Sequence, residues 1–140
     1  MTRARPETGW IKQPPFEPLS VNQRITMLET AVERAPSTAA RIDLGHLYQS
    51  VARVEDAAAI LEQKTGDAGL EYRRRMMLAN IRLLQEDPAD ALTVLQAITA
   101  EELASNELSS LQSLSGKVFM RLRDVAAARD SLLQALATNP

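Results

Sequence analysis

The sequence predicts an all-α protein of about seven helices arranged as antiparallel pairs. Three observations carry that prediction. Ala occurs 21 times and Leu 19 times in 140 residues, against 13 for Val and Ile together, and Ala and Leu lose little conformational freedom in a helix. Apolar residues recur at spacings of three and four, the period of one helical face, and no segment alternates polar and apolar as a half-buried strand does. Two sequence landmarks also return after 34 residues, as repeated helix pairs do.

The elements follow in order. Residues 1–18, MTRARPETGWIKQPPFEP, hold four of the seven prolines and the only Trp. Proline removes backbone donors and favours extended geometry. This arm is either disordered or laid over the first helices with Trp10, Ile11 or Phe16 as anchors, or it is a recognition peptide. Ser20 is a plausible N-cap, and Val21, Ile25, Leu28 and Val32 share one helical face until Pro36 and Ser37 end it. Ile42, Leu44, Leu47, Tyr48 and Val51 give a second helix, and Val54, Ala57, Ala58, Ile60 and Leu61 a third that ends near Gly66–Gly69. The fourth runs from Leu70 to Gln85. Asp87-Pro88 caps a fifth with a proline at its first position, carried by Ala91, Leu92, Leu95 and Ile98. Ser105-Asn106 interrupts. Leu108, Leu111, Leu114, Val118 and Phe119 form a sixth helix, and Val125, Ala128, Leu132, Ala135 and Leu136 a seventh, closed by Thr138-Asn139-Pro140.

Leu44-Gly45-x2-Tyr48 returns 34 residues on as Leu78-Ala79-x2-Arg82, and Ala57-x3-Leu61 as Ala91-x3-Leu95. A third copy, Ser115-Gly116-x2-Phe119 with Ala128-x3-Leu132, comes 37 residues later, so about three residues are inserted around Glu102 to Glu107. A leading half copy, Leu28-x2-Ala31-Val32-x3-Pro36, matches Leu132-x2-Ala135-Leu136-x3-Pro140. The physical reading is direct. Gly45, Ala79 and Gly116 let the paired helix come close, Ala57, Ala91 and Ala128 are small where helices cross, and Leu61, Leu95 and Leu132 fill the layer between neighbouring pairs. No pair buries its apolar face alone, so stacking completes the core.

These residues resemble the tetratricopeptide repeat family, whose 34-residue helix–turn–helix unit reads W-x2-L-G-x2-Y, then A-x3-F, then P. The resemblance covers roughly residues 20–140, as a half repeat (20–36) and repeats of about 38–70, 71–104 and 108–140. Arg41, Arg75 and Gln112 stand in the Trp place, and Leu61, Leu95 and Leu132 in that of the second-helix aromatic. The closing Pro is kept at Pro36 and Pro140, while Gly69 and Leu103 stand there in the first two full copies. The resemblance implies a right-handed superhelical solenoid whose first helices line a concave groove for peptides or protein segments. The groove residues it implies are Ile42 and His46 in the first copy, Arg73, Met76, Asn80 and Leu83 in the second, and Lys117, Met120 and Arg121 in the third, with Ala39, Gln49, Ser50, Leu84, Ser110 and Ser113 beside them. In some peptide-binding members Asn and Lys or Arg clamp a terminal carboxylate. Asn80 and Lys117 suit that role, but Ile42 and His46 stand where the early Lys-Asn pair would be.

Composition bounds the chemistry. With no Cys and one His, His46, the sequence offers no disulfide, thiolate or histidine-cluster metal site, and no cofactor is expected. Sixteen basic against eighteen acidic residues give no general drive toward nucleic acid. No apolar run approaches the length of a membrane span, and Met1–Gln13 is not a secretory signal, so a cytoplasmic protein is expected; 13 Arg against 3 Lys fits a bacterial source. Arg73-Arg74-Arg75 reads first as a solvated face paired with Glu71, and second as a patch for an acidic peptide. Neither Glu55 with Glu62 nor Gly66-x2-Gly69 belongs to a catalytic or phosphate-binding pattern. The leading expectation is therefore a non-catalytic scaffold for a protein or peptide partner. The alternatives are an accessory domain of a larger enzyme, guiding substrate or oligomerisation, and a homo-oligomerisation module acting through the last helix or the arm. The last helix offers Leu133 and Leu136 with few charges after Asp130, which suggests an excised domain or a partner-covered end as readily as a natural one.

Replacing Gly116 or Ala91 by a bulky residue is expected to overpack these seams and destabilise the fold by roughly 1–3 kcal/mol, read as a lower denaturation midpoint.

Overall fold

The computed structural model describes residues 18–64 and 66–138, which form seven α-helices in antiparallel pairs. They are α1 (Val21–Arg34), α2 (Thr38–Ser50), α3 (Val54–Leu61), α4 (Ala68–Leu84), α5 (Pro88–Gln96), α6 (Ser105–Arg121) and α7 (Val125–Thr138), with one turn of 3-10 helix (Ala100–Glu102) before α6. The expected arm lies, apart from Pro18, outside the described residues, as do Asn139 and Pro140.

Local chemistry sets the helix starts. Ser20 Oγ accepts from Gln23 N at 3.1 Å while Gln23 Oε1 accepts from Ser20 N at 2.8 Å, so both orphan donors of α1 are satisfied. Ser37 caps α2 through Ala40 N, and Asp87 caps α5 through Asp90 N with Pro88 at the first position. Two boundaries differ from the sequence reading. The Asp67 carboxylate accepts from Gly69 N and Leu70 N, which draws residues 68 and 69 into the first turn of α4. Ser105-Asn106 is the first turn of α6 and not an interruption; Glu107 Oε1 reaches back to Ala104 N at 3.0 Å, and the break falls in the 3-10 turn before it.

Each helix packs on the helices before and after it, and α2 also meets α4, and α4 meets α6. The apolar faces collect into two clusters. One joins side chains of α1 to α4, among them Ile25, Ile42, Leu44 and Leu61. The other joins α4 to α6, among them Ala79, Leu95, Leu111 and Val118. The predicted close approaches are present. A Cβ on Gly45 would lie 2.9 Å from Leu61 Cγ, and one on Gly116 would lie 2.8 Å from Leu132 Cγ. The middle seat, Ala79, is fully buried in the same cluster as Leu95. Leu132 departs from expectation: it seats on Gly116 but is exposed on its other side, because no helix follows α7 among the described residues.

A third landmark recurs that no glycine announces. Ala52, Glu86 and Arg123, at successive spacings of 34 and 37, adopt φ of 62°, 60° and 63°. Each closes the first helix of a pair with the same two bonds: Ala52 N to Gln49 O and Arg53 N to Tyr48 O (3.0 and 2.8 Å), Glu86 N to Leu83 O and Asp87 N to Arg82 O (3.0 and 2.8 Å), and Arg123 N to Met120 O and Asp124 N to Phe119 O (3.1 and 2.9 Å). This left-handed cap satisfies terminal carbonyls and reverses the chain. No helix among the described residues is long and apolar enough to cross a membrane.

A non-glycine residue in the left-handed region carries about 1–2 kcal/mol of strain, against roughly 0.5–1 kcal/mol for the greater freedom of unfolded glycine. Glu86→Gly and Arg123→Gly are each expected to raise stability by up to about 1 kcal/mol, seen as a higher urea midpoint with unchanged slope.

A candidate binding groove between alternate helices

Helical spacing builds one open groove from the first helices of the pairs. On α6, Asn106, Ser110, Ser113 and Lys117 fall at i, i+4, i+7 and i+11, a single face. On α4, Met76 and Asn80 are one turn apart, and Gln49 stands near the end of α2. Together with Met77, Ser109 and Leu114 they line a groove of about 530 Å³. Its apolar floor is held from behind, since Met77 packs on the first cluster and Met76 on the second. Its polar groups are amides, hydroxyls and the Lys117 ammonium, and no carboxylate lines it. Ser110 Oγ donates to Asn106 O at 2.9 Å. Lys117 is exposed and forms no ion pair among the described residues, and Asn80 is half-buried.

Of the nine implied site residues, the fold brings Met76, Asn80 and Lys117 into this groove, joined by the flanking Gln49, Ser110 and Ser113. Ile42 and Leu83 do not line it and need correcting: both are buried, Ile42 in the core with Ile25 of α1 and Leu83 in the core with Leu95 and Leu111. His46, Arg73, Met120 and Arg121, with the flanking Ala39, Ser50 and Leu84, are exposed but lie outside the groove lining. Asn106, Ser109, Met77 and Leu114 were missed. The i, i+4, i+7 spacing back from Lys117 contains the signal for Asn106; Met77 and Leu114 are core-type residues by pattern, and nothing in the spacing marks their groove edge.

The Arg73-Arg74-Arg75 run divides. Arg74 is buried; its Nη1 donates to the carbonyl of Leu61 at 2.6 Å, and its Nε and Nη2 donate to Glu71 at 2.5 and 3.0 Å. Arg75 Nε donates to Glu71 at 2.9 Å and its Nη1 to the carbonyl of Ala97. Two guanidiniums from α4 thus cap the C-terminal ends of α3 and α5, where cations are favoured, and a shared carboxylate holds both. The hydrogen bond from Arg74 does most to push the Glu71 carboxyl down to about 2, against the opposing effect of burial. The sequence reading of a pairing with Glu71 is right, but Arg74 is not solvated, and only Arg73 stands free on the surface. A second cleft, of about 350 Å³, lies by the 3-10 turn, but Glu71, Arg75 and Glu107 on its wall are already bonded. Among the described residues no group of three His, Cys, Asp or Glu side chains could hold a metal ion. No protein-family model matches the chain, and no curated protein matches it.

Because the Glu71 carboxyl is depressed in the folded state, its contribution is present above the ordinary carboxyl range and disappears as pH falls toward about 2. Glu71→Gln is expected to lower stability at neutral pH by about 1.5–3 kcal/mol. It should also flatten the decline in stability between about pH 4.5 and about pH 2 seen in the wild type, as followed by urea denaturation across that range.

Proposed function

We propose that this chain is a tetratricopeptide-like solenoid, right-handed and superhelical, that binds an extended protein segment in its groove and catalyses no reaction itself. The groove lining carries this reading: Asn80 of α4 and Lys117 of α6 line one groove with Met76 and Met77, and no carboxylate lines it. Such a lining supplies donors to carbonyl and carboxylate acceptors, which a peptide presents along its whole length. The flexible, polarisable methionines accept varied apolar side chains. Lys117 is the only ionisable side chain on the wall; it is exposed, without the desolvation that turns a lysine amine into a nucleophile, and among the lining residues no carboxylate or imidazole base stands beside the groove's serines to activate them. The repeat identity is supported by three landmarks in one register: the small seats, the leucines that fill them and the left-handed caps.

A random peptide library selected on the immobilised full chain tests the reading. The selected peptides are expected to bind the Asn80→Ala/Lys117→Ala double variant roughly tenfold or more weakly, a loss of about 1.4 kcal/mol, while helicity by circular dichroism stays the same. Unchanged affinity for the double variant would sink the groove assignment.

A further inference from the structure

The second helix of each pair turns one stripe toward the pair that follows, and it can be compared at equivalent positions: Ile25 and Leu28 in α1, Ala58 and Leu61 in α3, Leu92 and Leu95 in α5, Arg129 and Leu132 in α7. In the first three helices the next helix packs against it, and Ile25, Ala58, Leu61 and Leu95 are buried. On α7 the stripe is open. Val125 is 65% exposed, Leu132 42%, Leu133 56% and Leu136 63%, and only Ala128 and Ala135 of this helix are buried. The open row is aliphatic except at its middle.

Arg129 decides what fits there. It stands where the other stripes carry Ile25, Ala58 and Leu92, and beside it is Asp130, 3.9 Å away, both side chains well exposed. A purely apolar helix laid on this row would strip water from the guanidinium and return no hydrogen bond. The matching surface must bring aliphatic side chains and a carboxylate at mid-length. α7 presents that combination itself.

We infer that α7 pairs with α7 of a second copy of this chain, antiparallel, about a two-fold axis crossing the helix near Asp130. Val125 then lies opposite Leu136 of the second copy, Leu132 and Leu133 fill the centre, and Arg129 of each copy reaches Asp130 of the other. A two-fold interface must be self-complementary, and adjacent residues of opposite charge beside one aliphatic row meet that condition. The open aliphatic area is on the order of 400 Å² per copy, within the range of the largest apolar patch on a typical monomer, which is often functional. Two such faces total about 800 Å², less than the roughly 1,200 Å² at which stable specific interfaces begin, so the dimer is weak and reversible. No residue of α7 lines the groove, so this pairing stands independently of peptide binding.

Sedimentation equilibrium of the full chain, from low micromolar to several hundred micromolar, tests it. The wild type is expected to pass from monomer to dimer over that range. Leu133→Glu/Leu136→Glu is expected to remain monomeric with unchanged helicity and Tm, since both side chains are exposed. Arg129→Asp and Asp130→Arg should each weaken association at least tenfold, and Arg129→Asp/Asp130→Arg together should restore it. A wild type that stays monomeric throughout overturns the inference. So does a dimer that survives the double glutamate variant, or a double charge reversal that associates no better than the single ones. Binding of a synthetic acidic amphipathic helix by a strictly monomeric wild type would assign the face to a different partner and overturn the pairing as well.

Discussion

The clearance of one missing methyl group governs this fold. At Gly45 and Gly116 the facing leucine, Leu61 or Leu132, comes so near that a Cβ could not be accommodated without displacing it. That contact sets how closely the two helices of a pair approach. Helix separation in turn fixes where the apolar stripe of the second helix lies relative to the next pair. The left-handed caps at Ala52, Glu86 and Arg123 act on the same geometry from the turn, since each reverses the chain within two residues and delivers the second helix onto the seat. With Ala79 as the middle seat the spacing is relaxed by one methyl, and Leu95 still reaches the core.

Much of this was legible before any coordinates. Helix number, the caps at Ser20 and Asp87, and the close approach of the paired helix at Gly45 and Gly116 follow from spacing and side-chain chemistry; Leu61 and Leu132, expected in the layer between pairs, fill those seats within their own pair. What escaped has identifiable causes. Ile42 and Leu83 sit on helices packed on more than one side, so periodicity alone could not say which apolar residues face the groove. The left-handed caps carry Ala, Glu and Arg and lack the glycine that normally signals them. Arg74 is basic, in a basic run, and every compositional rule places it in water; its burial depends on the carbonyl of Leu61 lying within reach, which is a fact of tertiary structure. Met76, Asn80 and Lys117, by contrast, lie on helix faces that line the open groove.

Arg75 and Gln112, at equivalent positions on the first helices of successive pairs, are polar where an aromatic side chain would also fit. An aromatic there would contribute area. Arg75 instead donates to the carbonyl of Ala97, and Gln112 Oε1 accepts from Thr138 Oγ1 at 3.1 Å. Both reach the far end of the second helix of their own pair. Arg82 joins Glu62 after α3 to Asp90 on α5 by two ion pairs, its Nε lying 2.7 Å from Asp90 Oδ2. Tyr48, 34 residues earlier, is aromatic and donates to Glu29 at 2.5 Å, beneath the Arg53 guanidinium. Burial, followed by Glu29, pushes its hydroxyl up to about 12. Directional bonds here hold helix ends where apolar area is scarce.

Helix α4 gives buried side chains to both halves of the interior, and Val94 of α5 packs against both as well. Leu78 and Ile81 of α4 face the first cluster, and Ala79 and Leu83 face the second. The molecule is in effect two small cores in series with a common wall. Disturbance on one side reaches the other chiefly through the placement of that wall, and the same wall carries Met76 and Asn80 into the groove. A change in how tightly either half is packed therefore reads out as a shift in groove width, with α4 as the lever.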